Sequence, residues 1–438
     1  MFTLSSHHSH SGGLRRALFA FLAAGLGALL LGLGSRPATD NDEELEGRAP
    51  TAEELRPSVQ AAFQRESYAP TAPASLVFFN TARGVTLRIF RVGPEHTTTF
   101  GYSEMRGVPV TPTTFVGRAR SGRTVHVPVG TWPSGLYFAR LQAADRRVGF
   151  APFVVRPRHL GEHRVAVVLP TMTWQAYNLR DDDGDGRGDS WYADWTHHTA
   201  LLGRPFLNRG VPYNFRWYDL PFLHWLAWTG RAVDYLADAD LDGTRSGGEL
   251  ARAYDLIVFP GHHEYVTTHE YDVVRAYRDL GGNLAYLSAN NFFWQIVKRG
   301  NVMTRTKQWR DLGRPESSLI GAQYRGNDDG QHRGAWIVRD AAAAPWLFAG
   351  TDLKNGSSFG SGGIEIDKTG PDSPSGVKVL AEIPNLFGHG FTAQMTYYET
   401  PAGAKVFAAG AFTLAGSVLH NRKVTKLMGN LWTQLTKP

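Results

Sequence analysis

The chain has 438 residues, of which 42% are hydrophobic and 20% charged, a balance that excludes a disordered chain or a coiled coil and leaves room for two or three folded units. Its 46 Lys and Arg against 40 Asp and Glu give a net charge of +6, but the basic residues are scattered without a run, which argues against nucleic acid as a partner. With no Cys, the chain has no disulfide, no thiolate nucleophile, no thiolate-ligated zinc and no iron–sulfur cluster.

In chain order, Arg15 and Arg16 precede an uncharged stretch over 17–34, the order of an export signal or a membrane anchor occupying residues 1–35. The protein is accordingly expected outside the cytoplasm, secreted or held at a membrane through 17–34. Residues 36–71 carry the acidic cluster Asp40, Asp42, Glu43, Glu44 and Glu46 among Pro and Ala, and read as a disordered tether. From 72 to 158, short apolar runs at 76–79, 87–89, 125–127, 136–138 and 154–155 between Gly and Pro turns predict a small β-sandwich.

From 159 to 438 the pattern changes. Strands are predicted at 165–170, 232–236, 256–260, 284–288 and 406–411, with helices at 220–228, 268–280 and 424–435. Strands alternating with helices predict an α/β catalytic domain, a parallel doubly wound sheet with its ligand at the carboxyl ends of the strands.

Two acidic loops offer hard oxygen donors. Asp238, Asp240, Asp242, Gly243 and Glu249 match the EF-hand calcium loop, although a strand rather than a helix precedes them, and a solvated acidic turn is the alternative. Asp181, Asp182, Asp183, Asp185 and Asp189 cluster oxygens without a twelfth-place carboxylate. The best-placed chemistry follows the strand at 256–260, where His262 and Glu264, two apart in extended backbone, project to one side and could serve one metal or one water. A packed His and a capping Glu are the alternative there.

The strings GTWPSGLYFARL (130–141), FAPFVVRP (150–157), TWQAYN (173–178), WYDLPFLHWL (217–226), VDYLADADL (233–241), YDLIVFPGHHEY (254–265), LFAGTDL (347–353) and GIEID (363–367), in this order, resemble the large-subunit (beta) family of N,N-dimethylformamidase over most of 75–438. That resemblance implies a glutamine-amidotransferase-like catalytic domain and a mononuclear ferric iron held by two tyrosines and a glutamate with a histidine beside it. On this chain the ligands are Tyr177, Tyr218 and Glu264, with His262 as the neighbour. Phenolates and a carboxylate are hard anionic donors matched to Fe3+. The implied activity is exported, iron-dependent hydrolysis of a small amide, a C–N bond outside peptides. The family's large chain is longer and works with a small accessory subunit, so substrate identity, any homo-oligomer and the need for that subunit stay open. The rival reading is a noncatalytic cell-surface binding module on the same fold. A calcium-stabilised carbohydrate enzyme using Glu264 is a third.

Overall fold

The computed structural model describes residues 48–194 and 196–436. The expected leader at 17–34 and the first part of the expected tether, 36–47, lie outside the described residues. Among the described residues no helix is long and apolar enough to cross a membrane.

The remainder of the expected tether, 48–71, is not a tether: it carries β1 (Ala61–Phe63) and β2 (Ser67–Tyr68) and buries Val59, Phe63 and Tyr68. Val59, Ala61, Phe63 and Tyr68 face one core, which a periodicity test over so few positions does not register. Strands β3 (Pro73–Phe78), β4 (Ala82–Arg91), β5 (Val108–Pro109), β6 (Thr114–Ala119), β7 (Thr124–Pro128), β8 (Gly135–Gln142) and β9 (Val148–Val155) follow. They form a three-stranded sheet, β1-β3-β7, and a larger one, β2-β9-β8-β4-β5, with β6 paired to β4. One core lies between them: Leu76 and Phe78 of β3 meet Leu87 and Ile89 of β4, Tyr137 and Leu141 of β8, and Phe153 of β9. The alternate residues of β8, Leu136 and Phe138, point the other way into the largest core of the molecule. This double burial explains why β8 reads as an almost unbroken apolar run.

The second region contains β10 (Val165–Leu169), α1 (Thr171–Ala176), β11 (Thr199–Leu201), α2 (Phe215–Tyr218), α3 (Leu220–Trp228), β12 (Asp234–Ala237), α4 (Asp238–Asp242) and α5 (Gly247–Ala253). After these come β13 (Leu256–Phe259), β14 (Tyr265–Thr267), α6 (Thr268–Asp279), β15 (Asn283–Tyr286), β16 (Trp294–Arg299) and β17 (Val302–Gln308). The last stretch holds β18 (Gln323–Asn327), β19 (Arg333–Val338), β20 (Ser358–Lys368), β21 (Lys378–Ile383), β22 (Ala393–Glu399), β23 (Lys405–Ala408), β24 (Ala411–Phe412) and α7 (Arg422–Leu435).

The main sheet runs β12-β10-β13-β15-β23-β22-β21-β19-β20-β18, with β24 paired to β20. This corrects the expected doubly wound, glutamine-amidotransferase-like α/β domain. Of the described residues 33% are strand and 20% helix, and within the main sheet parallel pairing is confined to β12, β10, β13, β15 and β23; from β22 onward every pairing in that sheet is antiparallel. The misreading has a local cause. In the parallel part Val165–Leu169 is buried on both faces, Val167 and Leu169 entering one core and Ala166 and Val168 the other, which produces conspicuous apolar runs. The antiparallel strand β19 alternates buried with half-buried or exposed positions and opens on Arg333, so it lacks that signal.

Candidate functional site

Pro260 ends β13, and the chain then leaves the main sheet through 261–264 to enter the small sheet β11-β17-β16-β14. This crossover is fixed from several sides. Ser288 Oγ donates to the Gly261 carbonyl at 2.6 Å, the His263 amide to Asn291 Oδ1 at 3.2 Å and the Glu264 amide to Thr173 Oγ1 at 3.1 Å. A Cβ at position 261 would lie 2.2 Å from Asp219 Oδ1, so only glycine lets the loop pass the start of α3. The loop therefore stands at the carboxyl ends of β10, β13 and β15, which are neighbours in the sheet.

Glu264 is fully buried, and its Oε2 accepts from the Tyr177 hydroxyl at 2.8 Å and the Tyr192 hydroxyl at 3.0 Å. Tyr192 and Tyr265 are hydrogen-bonded through their hydroxyls. The Tyr177 ring stacks on Tyr192 with centroids 4.3 Å apart and on Tyr213 at 5.6 Å. His262 Nε2 makes no hydrogen bond among the described residues and stands 3.4 Å from Glu264 Oε2 and 3.3 Å from Glu365 Oε2. Its ring meets the edge of Phe412, on which Tyr218 stacks at 4.7 Å.

Above this group opens a cavity of about 740 Å³ whose lining includes Tyr177, Tyr213, Tyr218, Asp219, His262 and Glu365. Burial, then the Glu264 carboxylate, pushes the Tyr177 hydroxyl well above the ordinary phenol range, and burial does the same to Tyr218. Burial, reinforced by His263, lowers the His262 pKa to about 3, so its imidazole is neutral at physiological pH. Asp219, whose Oδ2 accepts from Trp174 Nε1 at 3.3 Å, is pushed up to about 8 by burial.

Of the residues expected at this site, the structure joins Tyr177, Glu264 and His262 directly. Tyr218 shares the cavity wall, its hydroxyl accepting from Asn214 Nδ2 at 3.2 Å, and reaches His262 through Phe412. Sequence reasoning missed Tyr192 and Glu365. Glu365 carried a signal: a carboxylate inside the apolar run GIEID, 4% exposed, is anomalous in a strand. It follows Ile364, whose φ of +71° is strained for a β-branched residue, within a register shift between Gly363 and Ile366 that turns β20 toward the cavity. Tyr192 sits after the glycine-rich acidic loop and carried none.

The EF-hand spacing at 238–249 falls on two short helices, α4 and α5, and the carboxylates there are each engaged by neighbouring groups. Asp238 Oδ2 accepts from the Met172 amide at 2.7 Å, Asp240 from Ser67 Oγ at 2.7 Å and the Ala237 amide, Asp242 from Thr267 Oγ1 while pairing with Lys298 at 3.0 Å, and Glu249 from the Arg245 amide. A match of spacing without a preceding helix does not set the loop conformation. Asp181, Asp183 and Asp189, by contrast, each bring an oxygen within 4.8 Å of the others, on the surface.

A profile of the family described as "N,N-dimethylformamidase beta subunit-like, C-terminal" matches residues 120–423. The N,N-dimethylformamidase beta subunits of Alcaligenes sp and Paracoccus aminophilus are each 24% identical over 327 residues, 60% of this chain. The match covers 42% of each relative, so the chain spans less than half of the curated proteins it resembles. Superoxide reductase (neelaredoxin) from Ignicoccus hospitalis is 13% identical over 27% of this chain and 98% of that one, and its TM-score of 0.16 carries nothing about the fold.

Proposed function

The chain belongs to the N,N-dimethylformamidase beta subunit-like family, and on that basis we propose that it hydrolyses an amide at the cavity above Glu264, with ferric iron as cofactor. The observation that carries the reading is the joining of Tyr177, Glu264 and His262 at one end of the cavity, with Glu365 across from the imidazole.

The donor set fits the ion. Tyr177 and Glu264 are within hydrogen-bond distance, Tyr218 lines the same cavity, and both phenols are raised by burial, so a cation is what would let them ionise there. Tyr177, Tyr218 and Glu264 would hold the iron. When bound it supplies a Lewis acid that polarises an amide carbonyl and acidifies water. Tyr192, donating to Glu264 Oε2, fixes the carboxylate in place.

The remaining chemistry belongs to the chain. Hydrolysis forms a C–O bond from water and breaks the C–N bond, and a proton must travel from the water to the departing nitrogen. His262 is neutral, buried and flanked by two carboxylates at 3.3–3.4 Å, so it takes that proton and returns it to the amine, with Glu365 stabilising the imidazolium between the two transfers. The stacked rings of Tyr177, Tyr192 and Tyr213 wall the inner end against bulk water.

The relatives' designation as beta subunits supports assembly with another chain, and the apolar segment at 17–34 supports export. His262→Ala tests the proton-transfer role: amine release from a formamide should fall by about 10²–10⁴-fold with iron content unchanged. Unaltered turnover would remove His262 from the chemistry.

A further inference from the structure

We infer that the natural substrate is a planar aromatic amide carrying a carboxylate a few bonds from the scissile C–N bond, and that Arg333 binds this carboxylate. The inference rests on the amide-hydrolase reading of the site and adds the substrate class.

Arg333 opens β19 and pairs in register with Gly363 of β20, two residues before Glu365. At about 3.3 Å per residue, the Arg333 backbone stands some 7 Å along the sheet from Glu365, within one aromatic ring's length of the reacting groups. The path of its side chain is built into the sheet. A Cβ on residue 363 would lie 2.6 Å from the His332 carbonyl oxygen and 3.1 Å from Arg333 Cγ, so the arginine stem crosses a bare glycine to reach the cavity, which it lines with Tyr218, His262 and Glu365.

Among the described residues nothing accepts from the Arg333 guanidinium: no carboxylate, carbonyl or aromatic face engages it. The other arginine of this cavity, Arg48, is committed, its Nη2 donating to Glu54 at 2.7 Å with its guanidinium 5.1 Å from the centroid of the Tyr213 ring. Arg333 is exposed at the cavity wall, and a guanidinium presents a planar fork of donors matched to a carboxylate, so it is open to an anion there.

The volume and the rim fix the rest of the substrate. About 740 Å³ lies in the range of roughly 300–1,000 Å³ that holds drug-sized ligands, far more than a five-heavy-atom formamide fills. At the rim Trp217 and Tyr102 are each about two-fifths exposed, and Trp217 Nε1 donates to the Tyr102 hydroxyl at 2.7 Å, which locks two large ring surfaces in place. Such surfaces favour a planar ring.

The test compares 4-formamidobenzoate with formanilide, which differ only in the carboxylate, on the purified full chain. Wild type should favour the benzoate by about 10–100-fold in kcat/KM, chiefly through KM, as expected for one charge-assisted bidentate contact. Arg333→Gln should bring the ratio close to 1, and Arg333→Lys should restore part of it. No preference in wild type, or a preference that survives Arg333→Gln, would overturn the inference. If wild type cleaves neither compound, the amide-hydrolase reading fails by itself, and calorimetric binding of 4-acetamidobenzoate against acetanilide still decides the anchor: tighter binding of the benzoate that Arg333→Gln abolishes supports it, and equal affinities refute it.

Discussion

The Tyr177 hydroxyl donates to Glu264 Oε2 across 2.8 Å, joining the residue that ends α1 to the loop that leaves β13. The two positions are 87 apart in sequence, yet β10 and β13 are parallel neighbours, so whatever follows their carboxyl ends is brought to one place. A buried carboxylate that takes two phenol donors on one oxygen is held in orientation, which is the preparation a metal ligand needs.

The two further tyrosines should separate by role. Tyr218→Phe keeps the stack on Phe412 but removes a hydroxyl that lines the cavity, and bound iron should fall below about a tenth of wild type. Tyr192→Phe removes a donor to Glu264 and should leave iron bound, with affinity weakened by about 10–100-fold. Iron retention against a competing chelator measures both. The reverse order would make Tyr192 the second ligand and Tyr218 a wall residue.

Asp367 sets a pH dependence of stability. Burial raises its carboxyl from 3.8 to about 7 in the folded chain, where Oδ1 accepts from the Asn290 amide at 2.9 Å. A carboxyl with a raised folded pKa costs nothing below its unfolded value, a growing amount from about pH 4 to 7, and the full amount above 7. At ~1.4 kcal/mol per unit that full amount is of the order of 4 kcal/mol. Asp367→Asn keeps the acceptor and sheds the charge, so its melting temperature should exceed that of wild type at pH 8 and converge with it near pH 4. A gap independent of pH would show that the carboxyl is not the cause.

How much of this was legible in the sequence follows from where each signal came from. Strands buried on both faces, such as Val165–Leu169 and Leu256–Phe259, show as apolar runs, and the loop after the second carries His262 and Glu264 in plain view. Helix α3 was readable to its ends because a continuous apolar stretch starts with Pro at its second position and stops before Thr229 and Gly230. The antiparallel half was less readable, because strands such as β19 and β21 mix buried with half-buried and exposed positions, and the doubly wound expectation filled that gap wrongly. Glu365 lies in that same half, on a bulge that no period-two pattern marks. The EF-hand spacing gave no sign of the two helices there, in which Asp238 and Asp240 accept from the Met172 and Ala237 amides.

The central claim is that Tyr177, Tyr218 and Glu264 hold one ferric iron, and the most direct measurement is metal analysis with a visible absorption spectrum on protein purified without added metal. Wild type should carry about one iron per chain with a phenolate-to-iron charge-transfer band. Tyr177→Phe, which retains the ring stack on Tyr192 and Tyr213, should lose both while its melting temperature moves little. A folded wild type that hydrolyses amides without iron, or a Tyr177→Phe variant that binds iron as well as wild type does, would contradict the account.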